Sequence, residues 1–391
     1  MSKQIKYVLS AFLIFLVLIT SSLTHLPNTS PADKFVAKRG TNISHWLSQS
    51  EARGIERKNY FTEKDVKYLA GIGFDHLRIP VDEEQLWKED GQEDSEGFGL
   101  LKQALDWCKQ YNLDAIVDLH ILRSHHFNQK EKPLWTKPEA QERFFQCWRD
   151  LSKELKKYPV EDVAYELMNE PVADDPEDWN KLVKKVIPII RQAEPTRIIV
   201  LGSNRWQSAT TFDQLYVPEN DKNIILSFHM YEPFLLTHHT ASWTGIKDYK
   251  GPVNYPGVIV KEDDLNGLPD SIKNAVLRNK QSYNIDSIRQ HIKKPLAVAK
   301  KYNLRLDCGE WGCLSTVPAA ARLRWFQDMI TVLEENNIGW STWDYKGGFG
   351  IINSKGEEEK ELILIDEELR KKNKKKNQQD SNATNNNNNK I

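Results

Sequence analysis

The chain has 391 residues, a formal net charge of −1 and four cysteines. That length suits one large domain or two ordinary ones, and the near-neutral balance gives no electrostatic reason to expect nucleic acid as a partner. So few cysteines in so long a chain exclude a disulfide scaffold.

At the N-terminus, Lys3 and Lys6 precede a mostly apolar stretch over 7–19, followed by Thr20, Ser21 and Ser22. The stretch is short for a membrane span and has the layout of an export signal over residues 1–27. An uncleaved membrane anchor is the alternative, and no cysteine lies nearby for lipid attachment.

Apolar runs that read as strands follow at 36–44, 76–81, 114–121, 163–170, 197–203, 224–231, 304–310 and 339–345. They are continuous rather than alternating, as parallel strands covered on both faces require. Helices fall between most of them. Thr62 to Asp65 and Thr136 to Glu139 resemble capping boxes, and Asp175 precedes a first-turn Pro176. Phe144, Cys147, Trp148, Leu151 and Leu155 repeat at helical spacing, as do Leu182, Val183, Val186, Ile187 and Ile190. These are core faces.

Eight strands with intervening helices predict a single (β/α)8 barrel, a TIM barrel with long active-face loops, over about residues 36–370. A doubly wound open sheet is the alternative. It usually carries a Gly-rich phosphate loop after its first strand, and Arg39-Gly40-Thr41-Asn42 lacks that spacing. Two loops on the active face are long, 120–135 and 231–283. The second holds Phe234, Trp243, Tyr249 and Tyr255 and reads as an ordered cleft wall. Residues 371–391 are rich in Lys, Gln and Asn and read as a disordered tail.

Glu170 and Glu310 each end a strongly apolar run. Carboxylates where buried strands emerge are costly unless paired or used, and a pair of them is what glycosidic-bond cleavage needs. Alone, either is more often a solvated loop residue or a salt-bridge partner. Read with the other strand ends, the pair gains company: Arg78, His120, Asn169, His229, Tyr231 and Trp343 each stand where a barrel strand opens onto its catalytic face.

The motifs Arg39 to Trp46, His76 to Pro80, Asp118-Leu119-His120, Asn169-Glu170-Pro171, His229 to Phe234, Gly309-Glu310-Trp311 and Trp343 to Lys346 occur in the order found in glycoside hydrolase family 5. Over about 38–352 the chain resembles these cellulase-like retaining glycosidases. The resemblance implies Glu170 as acid/base and Glu310 as nucleophile. It implies Asn169 as the partner of the sugar 2-hydroxyl, and Arg78 and Tyr231 as groups holding the nucleophile. His120 and His229 would flank the reacting sugar, Trp343 would floor it, and His45 and Trp46 would contribute to substrate binding.

On chemical grounds Arg78 would keep Glu310 charged, while a drier setting would keep Glu170 protonated. The expected activity is a secreted endo-β-1,4-glucanase acting as a monomer on polysaccharide or oligosaccharide, without cofactor or metal. A β-mannanase, an exo-acting β-glucosidase or a β-1,3-glucanase fits the same family. A non-catalytic carbohydrate-binding protein would normally lack one carboxylate.

Trp46, Trp87, Trp206, Trp243 and Trp311 are candidate sugar platforms, each weak alone. The pairs His125-His126 and His238-His239 suit substrate contacts or solvent exposure better than a metal, because adjacent residues rarely present both side chains to one ion. Cys108 and Cys147 read as buried free thiols, and the spacing leaves open whether Cys308 and Cys313 pair. Asn42 matches a glycosylation pattern but lies on a strand.

Overall fold

The computed structural model describes residues 30–353 and 356–358. The leader at 1–27 and the tail at 371–391 lie outside the described residues, as does the end of the domain expected to reach 370. Eight strands form the frame: β1 Arg39–Asn42, β2 His76–Asp82, β3 Asp114–Ile121, β4 Val163–Glu166, β5 Ile199–Gly202, β6 Ile224–Met230, β7 Arg305–Trp311 and β8 Gly339–Thr342. Each pairs in parallel with its sequence neighbours, and β8 pairs with β1 to close the barrel. The expected (β/α)8 barrel is the observed one.

Apart from Arg39, Asp114, Ile121 and Arg305 near strand ends, every barrel-strand residue is buried, which explains the unbroken apolar runs. Strand ends differ from expectation where the chain leaves the ladder. β4 stops at Glu166, not 170, although Leu167 N–H still donates to Val200 O at 3.3 Å and Asn169 N–H to Leu119 O at 3.1 Å. The helix Glu63–Ile72 has the expected capping box from Thr62 and Asp65. The helix Pro138–Leu155 instead begins with Pro138 in its first turn and has Lys137 at the cap, because Thr136 closes a preceding short 3-10 turn. Asp175 caps Pro176–Ala193 by accepting from Glu177 N–H.

The long 231–283 segment is ordered around an antiparallel pair, Gly257–Val258 with Ser282–Tyr283, and the helix Asp270–Asn279. Tyr249 and Tyr255 are buried there, donating to Pro252 O and to the Asp328 carboxylate, so they pack the insertion rather than line a cleft. Cys108, Cys147, Cys308 and Cys313 are all buried free thiols. No helix among the described residues is long and apolar enough to cross a membrane.

The barrel floor is polar and tightly filled. His76 on β2 reaches Ser341 Oγ at 2.8 Å, and a Cβ on Gly40 would lie 2.4 Å from its ring. Asp307 on β7 shares this floor, and neither of its carboxyl oxygens has a hydrogen-bonding partner among the described residues. Burial raises its pKa from 3.8 to about 6. Above pH 3.8 the unfolded chain releases this proton while the folded barrel keeps it until about pH 6, so the contribution to stability is full below 3.8 and lost as the pH rises. Asp307→Asn should therefore gain melting temperature over the parent as pH rises through this window, by roughly 2–4 °C per kcal/mol of relieved charge burial. Thermal melts at several pH values check this; a pH-independent difference would contradict it.

Candidate active site

Arg78 stands on β2 at the centre of the barrel mouth, with no exposed surface. Its Nε donates to Glu166 Oε2 at 2.7 Å and one Nη to Glu166 Oε1 at 3.0 Å. The other Nη donates to Asn42 Oδ1 and to Glu310 Oε1, both at 2.7 Å. Asn169 Oδ1 accepts at 2.9 Å, and Asp118 Oδ2 lies 3.0 Å away. Asn42 faces inward, donating to Gly309 O at 3.0 Å, so it is not a surface glycosylation site.

Glu310 reaches this guanidinium because β7 carries an extra residue. Phe228 pairs with Cys308 but His229 pairs with Glu310, leaving Gly309 as a bulge. One inserted residue changes which face the following side chains take. A Cβ on Gly309 would lie 2.7 Å from Ser227 Oγ, so glycine suits the bulge sterically. The second carboxyl oxygen of Glu310 accepts from Tyr231 Oη at 3.0 Å.

Glu170 sits beyond β4 with a left-handed φ of 44°. His229 Nδ1 lies 3.0 Å from Oε1 of Glu170 and 3.5 Å from Oε2 of Glu310. The three groups offer atoms that all lie within 4.8 Å of one another. Such a set has the donors for a cation, but Arg78 already brings a positive charge to Glu310 at 2.7 Å.

The expected contrast in dryness between the two carboxyls is not observed. Glu170 is 8% exposed and Glu310 4%. Burial raises both pKa values, Glu170's well above the ordinary range with a further push from the Glu310 charge. At Glu310 the rise from burial is opposed mainly by Arg78, so charge partners rather than solvent separate the two. Burial, reinforced by Arg78, holds His229 well below its usual value and therefore neutral. His120 is lowered to about 3 by burial, and Asp118 is raised to about 7 by burial against Arg78. Neutral His120 places Nδ1 2.6 Å from Asp118 Oδ2 and Nε2 2.9 Å from Gln49 Nε2.

Trp343 lies parallel to the His120 ring, with centroids 5.5 Å apart, and packs with Ala241, Leu314 and Phe349. His45 meets its edge from the half-exposed rim. Trp46 does not join them. It is 1% exposed, packs on Phe61 and donates to Arg57 O, because His45 at φ 55° turns the chain back toward the helix layer. Trp87 and Trp311 are likewise core residues, whereas Trp206 and Trp243 are 44% and 61% exposed. His125, His238 and His239 are buried rather than solvent-exposed: His125 Nε2 accepts from Val172 N–H in the segment after β4, and His238 and His239 are bonded within their own loop.

Reading from sequence missed Glu166, Gln49 and Gln207 as site residues and gave Asp118 no role beyond its place in the Asp118-Leu119-His120 motif. Glu166 had a signal: an acid in the middle of an apolar strand run needs a buried cation, and Arg78 is one.

A closed parallel barrel with ionisable groups clustered at the C-terminal strand ends is the arrangement in which (β/α)8-barrel enzymes carry their active sites. A family model described as cellulase, glycosyl hydrolase family 5, matches residues 36–348. The chain is 32% identical over 320 residues to Endoglucanase C of Acetivibrio thermocellus, covering 79% of this chain and 91% of that protein. It is 29% identical over 304 residues to Cellodextrinase A of Ruminococcus flavefaciens, covering 77% and 83% respectively. The solved structure of endoglucanase Cel5A from Thermotoga maritima shares the fold, with a TM-score of 0.66 at 22% identity over 86% of this chain and 99% of that one. The chain belongs to glycosyl hydrolase family 5 and is a cellulase-like glycoside hydrolase.

Arg78→Met should cost about 3–5 kcal/mol of unfolding free energy, because it strands buried acids without their cation. Urea titration measures this; a loss below about 1 kcal/mol would show that the cluster does not need its cation.

Proposed function

We propose that the protein is an endo-β-1,4-glucanase that cleaves with retention of configuration. The observation that carries the retaining part of this reading is the pair of buried carboxyls that both meet His229 Nδ1, at 3.0 and 3.5 Å, with one oxygen of each within 4.8 Å of the other. Retaining pairs stand about 5–5.5 Å apart, whereas inverting pairs need about 6.5–9.5 Å to admit a water. The unequal proton affinities supply the roles: Glu170 holds a proton and Glu310, facing Arg78, is the more readily ionised.

In the first step Glu310 attacks the anomeric carbon and the glycosidic C–O bond breaks, its electrons passing to the leaving oxygen, which takes the Glu170 proton. In the second, Glu170 removes a proton from water as the water oxygen attacks that carbon and the bond to Glu310 breaks. Arg78 and Tyr231 orient the nucleophile with one donor on each oxygen. The Asn169 side-chain amide is buried, with no partner among the described residues for its N–H groups, and suits a donor to the sugar 2-hydroxyl. His120, His229, His45 and Trp343 line the same mouth and suit the walls and floor of the reacting-sugar site.

The names of the relatives, an endoglucanase and a cellodextrinase, support β-1,4-glucan as the substrate class. Export belongs to the same reading and is supported by the Lys3 and Lys6 leader with its apolar core.

Glu170→Gln and Glu310→Gln should each lower kcat on cello-oligosaccharides by about 10²–10⁴-fold. Full activity in either variant would end the assignment. Azide should restore turnover to Glu310→Gly and yield a glycosyl azide of inverted configuration. Proton NMR of the wild-type reaction should show the β-anomer first. A panel of glucans, mannan and short oligosaccharides tests the substrate: preference for mannan, for β-1,3-glucan or for terminal glucose release would replace the endo-β-1,4 reading.

A further inference from the structure

Glu170 projects from backbone that no sheet ladder holds. The loop after β5 holds it. Arg205, Trp206 and Gln207 take φ values of 57°, 61° and 49°, consecutive left-handed positions without a glycine among them. Such backbone persists only where its surroundings over-determine it. Here the turn doubles back and presents two amide side chains to the 170–173 segment. Ala173 N–H donates to Asn204 Oδ1 at 2.8 Å and Asn204 Nδ2 returns a bond to Ala173 O at 2.9 Å. Trp206 N–H donates to Pro171 O at 3.3 Å, and Glu170 N–H donates to Gln207 Oε1 at 2.9 Å.

The other half of the Gln207 amide points the opposite way. Its Nε2 donates to Glu166 Oε1 at 3.1 Å, the carboxyl that grips Arg78. Gln207 has no exposed surface, and Gly202 makes room for it: a Cβ there would lie 2.4 Å from its Cγ. One amide therefore joins the backbone of Glu170, through Glu166 and Arg78, to Glu310.

We propose that Gln207 is a positioning residue for the Glu170 carboxyl, setting the backbone from which the acid reaches the leaving oxygen. It touches no reacting atom. The proposal rests on the glycosidase reading above. It also accounts for the strained turn, whose left-handed residues bring the amide round to face both the Glu170 backbone and the Glu166 carboxyl.

The role can be separated from simple structural support by the leaving group. Phenyl β-cellobioside needs the Glu170 proton to depart, whereas dinitrophenyl β-cellobioside leaves without it, and both need Glu310. The variants are Gln207→Met, of similar volume without the amide, and Gln207→Asn, which stays polar but is a methylene too short to serve both partners. Each is checked for folding by its melting temperature. For either, kcat/KM should fall about 10–100-fold on the phenyl substrate and less than about threefold on the dinitrophenyl one. Equal loss on both substrates, or no loss on either, would overturn the proposal. A wild-type enzyme that cleaves neither cellobioside would instead defeat the glucanase reading, and this role with it.

Discussion

The site depends on one buried cation. A guanidinium offers five N–H groups in a rigid plane, and Arg78 directs them at Asn42, Glu166, Asn169 and Glu310, with Asp118 at 3.0 Å. These partners come from β1, β4, β7, β3 and the segment after β4, so one side chain ties together most of the barrel mouth. Lysine could not replace it, because a single ammonium has no fixed fork to hold so many oxygens at set angles. One positive charge also cannot neutralise three carboxyls. Burial accordingly raises Asp118 to about 7 and pushes Glu166 upward, which leaves Arg78's charge less divided.

The backbone is shaped to bring acids to that cation from two directions. Glu310 arrives on a strand whose face is reset by the Gly309 bulge. Glu170 arrives on a left-handed turn outside the ladder. A strand holds its side chain by neighbouring hydrogen bonds, but a turn needs side chains to do that work. Asn204 and Gln207 supply them, which makes the loop after β5 part of the support for a residue on the loop after β4.

Which features were legible in the sequence follows from the same physics. The strands were legible because parallel strands buried on both faces leave continuous apolar runs, and all eight are present. Polar residues at the ends of those runs were legible for the same reason, and the structure gathers Arg78, His120, Asn169, Glu170, His229, Tyr231, Glu310 and Trp343 at one mouth. Orientation was not legible. Trp46 and His45 are adjacent, yet a positive φ at His45 sends one to the core and leaves the other at the rim. The paired histidines read as surface residues because imidazole is polar, but His125, His238 and His239 are buried with protein partners. Gln207 carried no signal at all, since an amide in a loop has no periodicity and its value lies wholly in what it touches.

The two carboxyls also show why solvent exposure was the wrong variable for assigning their protons. Both are nearly inaccessible, so burial alone would raise them alike. Two charges within 4.8 Å repel by about 3–4 kcal/mol at an effective dielectric near 20, enough that the pair keeps one proton at neutral pH. Burial and repulsion leave open which oxygen carries it. Arg78 breaks that symmetry, because it lies 2.7 Å from Glu310 and makes no bond to Glu170. Tyr231 adds a donor on the same side, and neutral His229 between them adds no charge of its own. Arg78 therefore favours the charged form of Glu310 over that of Glu170, and the geometry that fixes Arg78 sets this difference between the two carboxyls.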